Sequence, residues 1–178
     1  MIAYLIVACE VLFWVFVIGG LAARYVLGAK RLSTFLLICT PLIDLVLLIA
    51  AFMDLRNGAT ATMAHGIAAV YIGVSLAYGH RMIRWADERF AYRFADGQKP
   101  QKLYGREHAR HERTGWMMHL ISWIVGNALL LFMIWYVGDP SRTIVLNSVI
   151  RVWAIVLAID FVISFSYTLW PRKQKSTA

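Results

Sequence analysis

Apolar residues run along this chain in five long stretches, at 2–27, 33–55, 60–83, 115–137 and 143–170. An α-helix needs about 20 mostly apolar residues to cross the hydrocarbon of a bilayer, so each stretch qualifies as a span. The gaps at 28–32, 56–59 and 138–142 are short, which forces neighbouring helices to run antiparallel; Asp139-Pro140 marks the last as a turn. The fourth gap, 84–114, is long and polar. A four-span alternative would demote the first stretch to an interfacial segment, but Glu10 is the only charge between residues 2 and 23. The pattern therefore predicts an all-α membrane protein of five transmembrane helices, with residues 1–178 forming a single membrane domain.

Charge gives the predicted spans a direction. Of 18 Lys and Arg residues, nine fall between Arg81 and Arg113. Arg24, Lys30 and Arg31 close the first stretch, and Arg172, Lys173 and Lys175 follow the last. The alternate gaps hold only Arg56 and Arg142, with Asp54 and Asp139 close by. Loops retained in the cytoplasm carry excess Lys and Arg, so the N-terminus is expected outside and the C-terminus in the cytoplasm. Aromatic residues near the predicted boundaries act as interface anchors: Tyr4, Tyr25, Trp85, Trp116, Trp135, Tyr136, Tyr167 and Trp170.

Composition supports the same class. Hydrophobic residues make up 60% of the chain, above the roughly 45–50% of soluble domains. The formal net charge of +8 lies almost wholly beside the spans. The expected partners are therefore anionic lipid headgroups on the cytoplasmic side, not nucleic acid. No positive region precedes the first apolar stretch and no small-residue cleavage site follows it, so it is expected to stay as a span. Cys9 and Cys39 differ in predicted depth by about 10 Å, too far for a disulfide. These features place the chain, as an expectation, in a membrane as a multi-pass protein.

Small residues suggest where backbones meet. Gly66 and Gly73 share a face of the third helix with Ala69 between them, the kind of seam through which lipid-embedded helices associate. That helix is the expected hub, and its seam is also a possible homodimer contact. Pro41 removes a backbone hydrogen bond from the second helix and is expected to kink it near Leu37, with Thr40 satisfying part of the freed backbone. In the long connection, Ile83, Phe90 and Phe94 recur at near-helical spacing among Arg84, Arg89, Arg93 and Trp85. The third helix should thus continue out of the membrane into a basic interfacial segment between helices 3 and 4. Arg81, Arg84, Trp85, Arg89 and Arg93 are its lipid-headgroup candidates, with a loop at 95–100 carrying the Asp96-Gly97 turn signal.

Polar groups within the spans are costly and so are functional candidates. Counting from the predicted helix ends, Glu10, His65 and Arg151 fall in the outer third. Asp44, Asn127 and Asp160 fall near the middle, and His80 and His119 at the cytoplasmic interface. Glu10 and Arg151 suit either a structural ion pair, extended by Asn147, or an outward-open anion site with His65 as proton sensor. Asp44 and Asp160 lack a cation at their depth, so at least one should hold a proton at neutral pH. Thr40 and Ser164 can hydrogen-bond them. Proton relays are built from such carboxyls, and so are plain interhelical hydrogen bonds.

His80 and His119 approach one membrane face and could ligate a haem iron, but the matching outer pair of a two-haem cytochrome is missing. His108, His111 and Glu112 share a helical face and, with His119, form a weak metal-ligand set. His-Glu-x-x-His is absent, and a charged helix start is the simpler account. No phosphate loop, Gly-x-Ser-x-Gly elbow or paired Cys-x-x-Cys is present, which gives catalysis little support. No cofactor is expected.

The stretch FMDLRNGATATMAHGIAAVYIGVSLAYGHRMIRWADERFAYRF, residues 52–94, resembles small bacterial polytopic inner-membrane proteins of a family of unassigned activity. The resemblance implies a bacterial cytoplasmic membrane and assigns no functional residue. Two function classes lead: a small proton- or cation-coupled transport or permeation unit, expected to dimerise because five helices are few for a pathway, and a non-catalytic accessory or lipid-interacting protein docking lipid or a partner membrane protein. A haem- or metal-binding subunit is a distant third.

Overall fold

The computed structural model describes residues 2–94, 98 and 103–172; side chains of 2, 3, 5, 6, 10, 41, 44 and 94 lie outside that description. Within it the chain forms five α-helices: α1 (Ile2–Tyr25), α2 (Lys30–Arg56), α3 (Met63–Phe94), α4 (Gly105–Val137) and α5 (Pro140–Leu169). No strand occurs among the described residues. The predicted 95–100 loop and the basic tail from Lys173 fall largely or wholly outside them.

The apolar stretches set these helices, but their ends differ from the sequence pattern. Helices α3 and α4 contain 32 and 33 residues, about 48 and 50 Å at 1.5 Å per residue. That exceeds the roughly 30 Å of hydrocarbon. As expected, helix 3 runs on past 83: residues 84–94 continue α3, and 105–114 open α4. Charge in these stretches is compatible with helix because Arg, Lys and Glu lose little rotamer freedom there. Four helices are long and apolar enough to cross a membrane, namely α1, α2, α4 and α5. The helix that misses the criterion is α3, whereas the four-span alternative had set aside helix 1.

The short connections are built from local chemistry. Gly138 ends α4 in the left-handed region (φ 65°), and its N–H donates to the Ile134 carbonyl at 3.1 Å. Asp139 then caps α5, accepting from the Ser141 backbone N–H at 2.9 Å, and Pro140 opens the helix. Asp139 lies outside the helices, and the Ser141 hydrogen bonds hold its carboxyl below the usual carboxylate value of 3.8. In α2 the helix is continuous through Pro41. The Thr40 hydroxyl donates to the Leu37 carbonyl at 2.9 Å, the acceptor that proline cannot serve.

Helix α3 is the hub, packing on α1, α2, α4 and α5. Its seam works inside the chain. A Cβ at Gly66 would stand 2.6 Å from Val149 Cγ2, and one at Gly73 would stand 2.5 Å from the Ser122 carbonyl oxygen. The seam is therefore filled by α4 and α5, not left open for a homodimer. Around α3 the contacts run α1–α2, α2–α4 and α4–α5, while α1 and α5 do not pack together among the described residues. A core of Leu47, Ala51, Leu55, Ala68, Ala69, Leu130, Met133 and Leu146 fills the centre. No disulfide joins Cys9, which is buried, to Cys39.

Candidate functional site

A partly buried polar cluster lies where α3, α4 and α5 meet. Trp153 on α5 packs against the glycine of α4 at 126, where any Cβ would collide with the indole, and 3.2 Å from a Cβ built at Gly73. These two glycines form a notch that only an aromatic edge fills. Held there, the Trp153 Nε1–H donates to His119 Nε2 at 3.1 Å. Indole nitrogen is a donor only, so Nε2 must be unprotonated and the imidazole proton sits on Nδ1. Nδ1 faces Asp160 Oδ2 at 2.7 Å, the length of a charge-assisted hydrogen bond. Ser164 donates to the other carboxyl oxygen at 3.3 Å. The result is a continuous chain, Trp153–His119–Asp160–Ser164, across α4 and α5.

Neighbours enclose this chain. Trp116 donates to the Leu157 carbonyl at 3.3 Å and meets Phe161 and Phe165 edge-on. It is half-buried and ties the start of α4 to α5. Tyr78 on α3 donates to the Gly115 carbonyl at 2.7 Å. Next to Gly126 in sequence, Asn127 donates to Trp123 O at 2.7 Å, while its Oδ1 is buried and has no partner among the described residues.

A second histidine–carboxylate pair occupies the end of the bundle where α1, α3 and α5 begin. His65, fully buried, is near the start of α3. Its Nδ1 accepts from the Thr62 backbone N–H at 3.2 Å and lies 3.0 Å from the Thr62 hydroxyl. This is the reciprocal half of a capping box, with imidazole replacing the usual Glu or Gln. Nε2 is left to donate to Asp54 Oδ2 at 3.2 Å. Arg142 fastens the same corner. Its guanidinium donates to the Leu55 carbonyl at 2.6 Å and the Ala59 carbonyl at 2.9 Å, covering orphan acceptors at the α2 C-terminus.

These pairings correct several expectations. Asp160 has a basic partner, His119: α4 and α5 join at the 138–139 turn, and the two residues stand 18 residues before the end of α4 and 20 after the start of α5, hence at one level. His119 is not beside His80, which lies on the exposed side of α3 and accepts from Arg84 at 3.2 Å. His111 accepts from Arg81, and His108 sits 3.7 Å from Glu112 and edge-on to Tyr167. The four histidines of the metal set are thus engaged separately. No group of three or more metal-ligating side chains occurs among the described residues. Arg151 is exposed on α5, and with α1 and α5 apart the intrachain Glu10–Arg151 pair has no packing to support it. His65 and Arg151 do not converge on one site. The side chains of Glu10 and Asp44 lie outside the described set.

At the basic end, Arg24 pairs with Asp87 at 3.3 Å, and Tyr25 stacks on Phe90. The end of α1 therefore clamps the extension of α3. Of the lipid-headgroup candidates, Arg81 contacts His111 and the Met118 sulfur on α4, and Arg84 donates to His80 on the exposed face of α3. Arg89 lies 4.3 Å over the exposed Trp85 ring, and Arg93 is exposed.

Comparison with known proteins adds the lineage. Over 178 residues the chain is 48% identical to the uncharacterized membrane protein YmcC of Bacillus subtilis (strain 168), spanning 99% of this chain and 96% of that protein. The chain belongs to the YmcC family. No family model matches it, and no solved structure matches it. The family name supports a membrane protein, in line with the apolar helices, and assigns no activity.

Trp153, Thr62 and Asp54 were not singled out in the sequence. Trp153 carried one usable signal, an indole in the middle of an apolar stretch instead of at its edge, where a buried N–H needs an acceptor. Asp54 and Thr62 sit at a predicted helix end and beside a loop, where polar residues are unremarkable.

Proposed function

We propose that this chain is a five-span protein of the bacterial cytoplasmic membrane, N-terminus outside, and that it works as a small proton-coupled transport or permeation unit. The observation that carries this is the 2.7 Å His119–Asp160 couple, partly buried between α4 and α5 and held between two hydrogen-bonding neighbours. A proton-handling group needs a pKa partner and a consequence of changing charge. His119 has both. In its neutral form Nε2 accepts from Trp153. Protonating that nitrogen sets N–H against N–H, so the indole must leave its hydrogen bond and shift in the notch of Gly73 and Gly126. Proton uptake at His119 is thereby coupled to the packing of α3, α4 and α5, the kind of two-state element that alternating access requires.

The test is proton flux in proteoliposomes carrying a pH dye inside, with an imposed pH gradient. Wild type should dissipate the gradient faster than protein-free vesicles, and Asp160→Asn, which keeps hydrogen-bonding capacity but not the charge, should fall to the vesicle background. Equal rates for wild type and empty vesicles would reject the reading. A second reading, an accessory role docking anionic lipid, draws on the exposed Arg89–Trp85 stack and Arg93 at the basic end. It predicts co-sedimentation with vesicles containing phosphatidylglycerol that Arg89→Gln with Arg93→Gln weakens, leaving flux unaffected.

A further inference from the structure

The open side of the bundle, between α5 and α1, carries an unmatched charge. The contacts around α3 form a circuit that stops at this gap. In the gap-bearing hub helix Leu76 is 70% exposed, although α3 packs on every other helix. On α5, Ile144, Asn147, Arg151, Ile155 and Val162 form one exposed stripe, opposite the buried Trp153. Arg151 has no acid beside it among the described residues: the described ion pairs are Arg24–Asp87, His65–Asp54, His108–Glu112 and His119–Asp160.

An arginine about 16 Å from the start of its helix stands within the apolar layer. A charge there is normally paired or faces a protein interior. Glu10 lies on α1 about 12 Å from that helix's start, and α1 and α5 begin at the same end of the bundle. The α1–α3 and α3–α5 contacts, Tyr25 with Phe90 and Gly66 with Val149, both pair helices running in the same direction. The two charges therefore match in depth but belong to helices that flank the gap without meeting.

We propose that a second copy of this chain closes the gap, in a two-fold dimer whose axis runs along the membrane normal past the open side of α3. A half-turn about that axis sets α1 of each copy against α5 of the other. Glu10 of one copy then lies at the depth of Arg151 of the other, twice over. The symmetry makes the interface self-complementary, as two-fold contacts must be. It sets an acid at the depth of Arg151, covers Leu76, and leaves the Gly66–Gly73 seam inside each copy. This inference does not rest on the proton-handling reading.

The experiment co-expresses two differently tagged copies, captures one tag from solubilised membranes and detects the other. Wild type should capture wild type. Arg151→Glu should fail to capture itself, because the acid at 151 then faces Glu10, and Glu10→Arg should fail likewise. Arg151→Glu with Glu10→Arg should capture one another near the wild-type level, since one trans pair keeps its native sign and the other is restored with the sign reversed. That recovery also shows that each variant chain folds. Self-capture by both single variants as strong as wild type, or no capture by the mixed pair, would overturn the proposal. So would absence of capture between wild-type copies, which would leave Arg151 to an anionic lipid headgroup.

Discussion

Gly126 shows how little space separates this fold from a strained one. Its missing Cβ is what lets the Trp153 ring lie against α4, and the ring's position aims its N–H at His119. An added methyl must push the indole or the helix aside, and overpacking of this kind costs about 1–3 kcal/mol. Gly126→Ala is therefore expected to lower the thermal midpoint and to shift tryptophan emission, because the indole loses its acceptor. Gly79→Ala, where an added Cβ meets nothing within 4 Å, is the control and should leave both unchanged. Equal effects of the two substitutions would show that the notch does not hold Trp153.

At the scale of one element, α5 begins at a cap that titrates. Ser141 hydrogen bonds hold the Asp139 carboxyl below 3.8 in the folded protein. The native state then binds fewer protons than the unfolded one. The cap's contribution is present above the unfolded value and is lost as pH falls through the lower folded value. Unfolding followed from pH 7 to pH 2 should show wild type more stable than Asp139→Ala at neutral pH. The two should converge at the acid end. A gap that stays constant across the range would mean that the carboxylate charge plays no part. The same element-level logic explains α2, where Thr40 supplies the donor that Pro41 lacks and the helix runs on.

For the whole molecule, the two ends of the bundle differ in charge, and that difference sets the expected orientation. The basic ends of α3 and α4 and the tail of α5 lie together, with Gly105 donating to the Arg172 carbonyl at 2.9 Å and Arg113 to Thr168 at 2.8 Å. The turn at Asn57 lies at the opposite end, tied to α5 by Arg142. In a cysteine-free background, a cysteine at Asn57 should react with an impermeant maleimide in intact cells. One at Gln98 should react only after the cells are broken. The reverse pattern would invert the topology, and labelling of both in intact cells would require an even number of crossings between them.

What the sequence determined by itself was local. A run of apolar residues fixes a helix because only a helix satisfies its own backbone in hydrocarbon. The Gly138-Asp139-Pro140 turn, the Thr40–Pro41 repair and the small-residue face of α3 follow from near neighbours, and all were legible. Helix ends were not, since the polar stretches beyond the bilayer remain helical, supported by contacts such as Arg24–Asp87 that join residues 63 positions apart. The pairing of His119 with Asp160 and Trp153, and of His65 with Asp54, was decided by tertiary structure alone. Depth along a helix can be counted from a sequence, but rotation about its axis and the choice of neighbour are set by packing. Arg151 illustrates the same limit: its depth matched that of Glu10, yet the fold placed α1 and α5 apart.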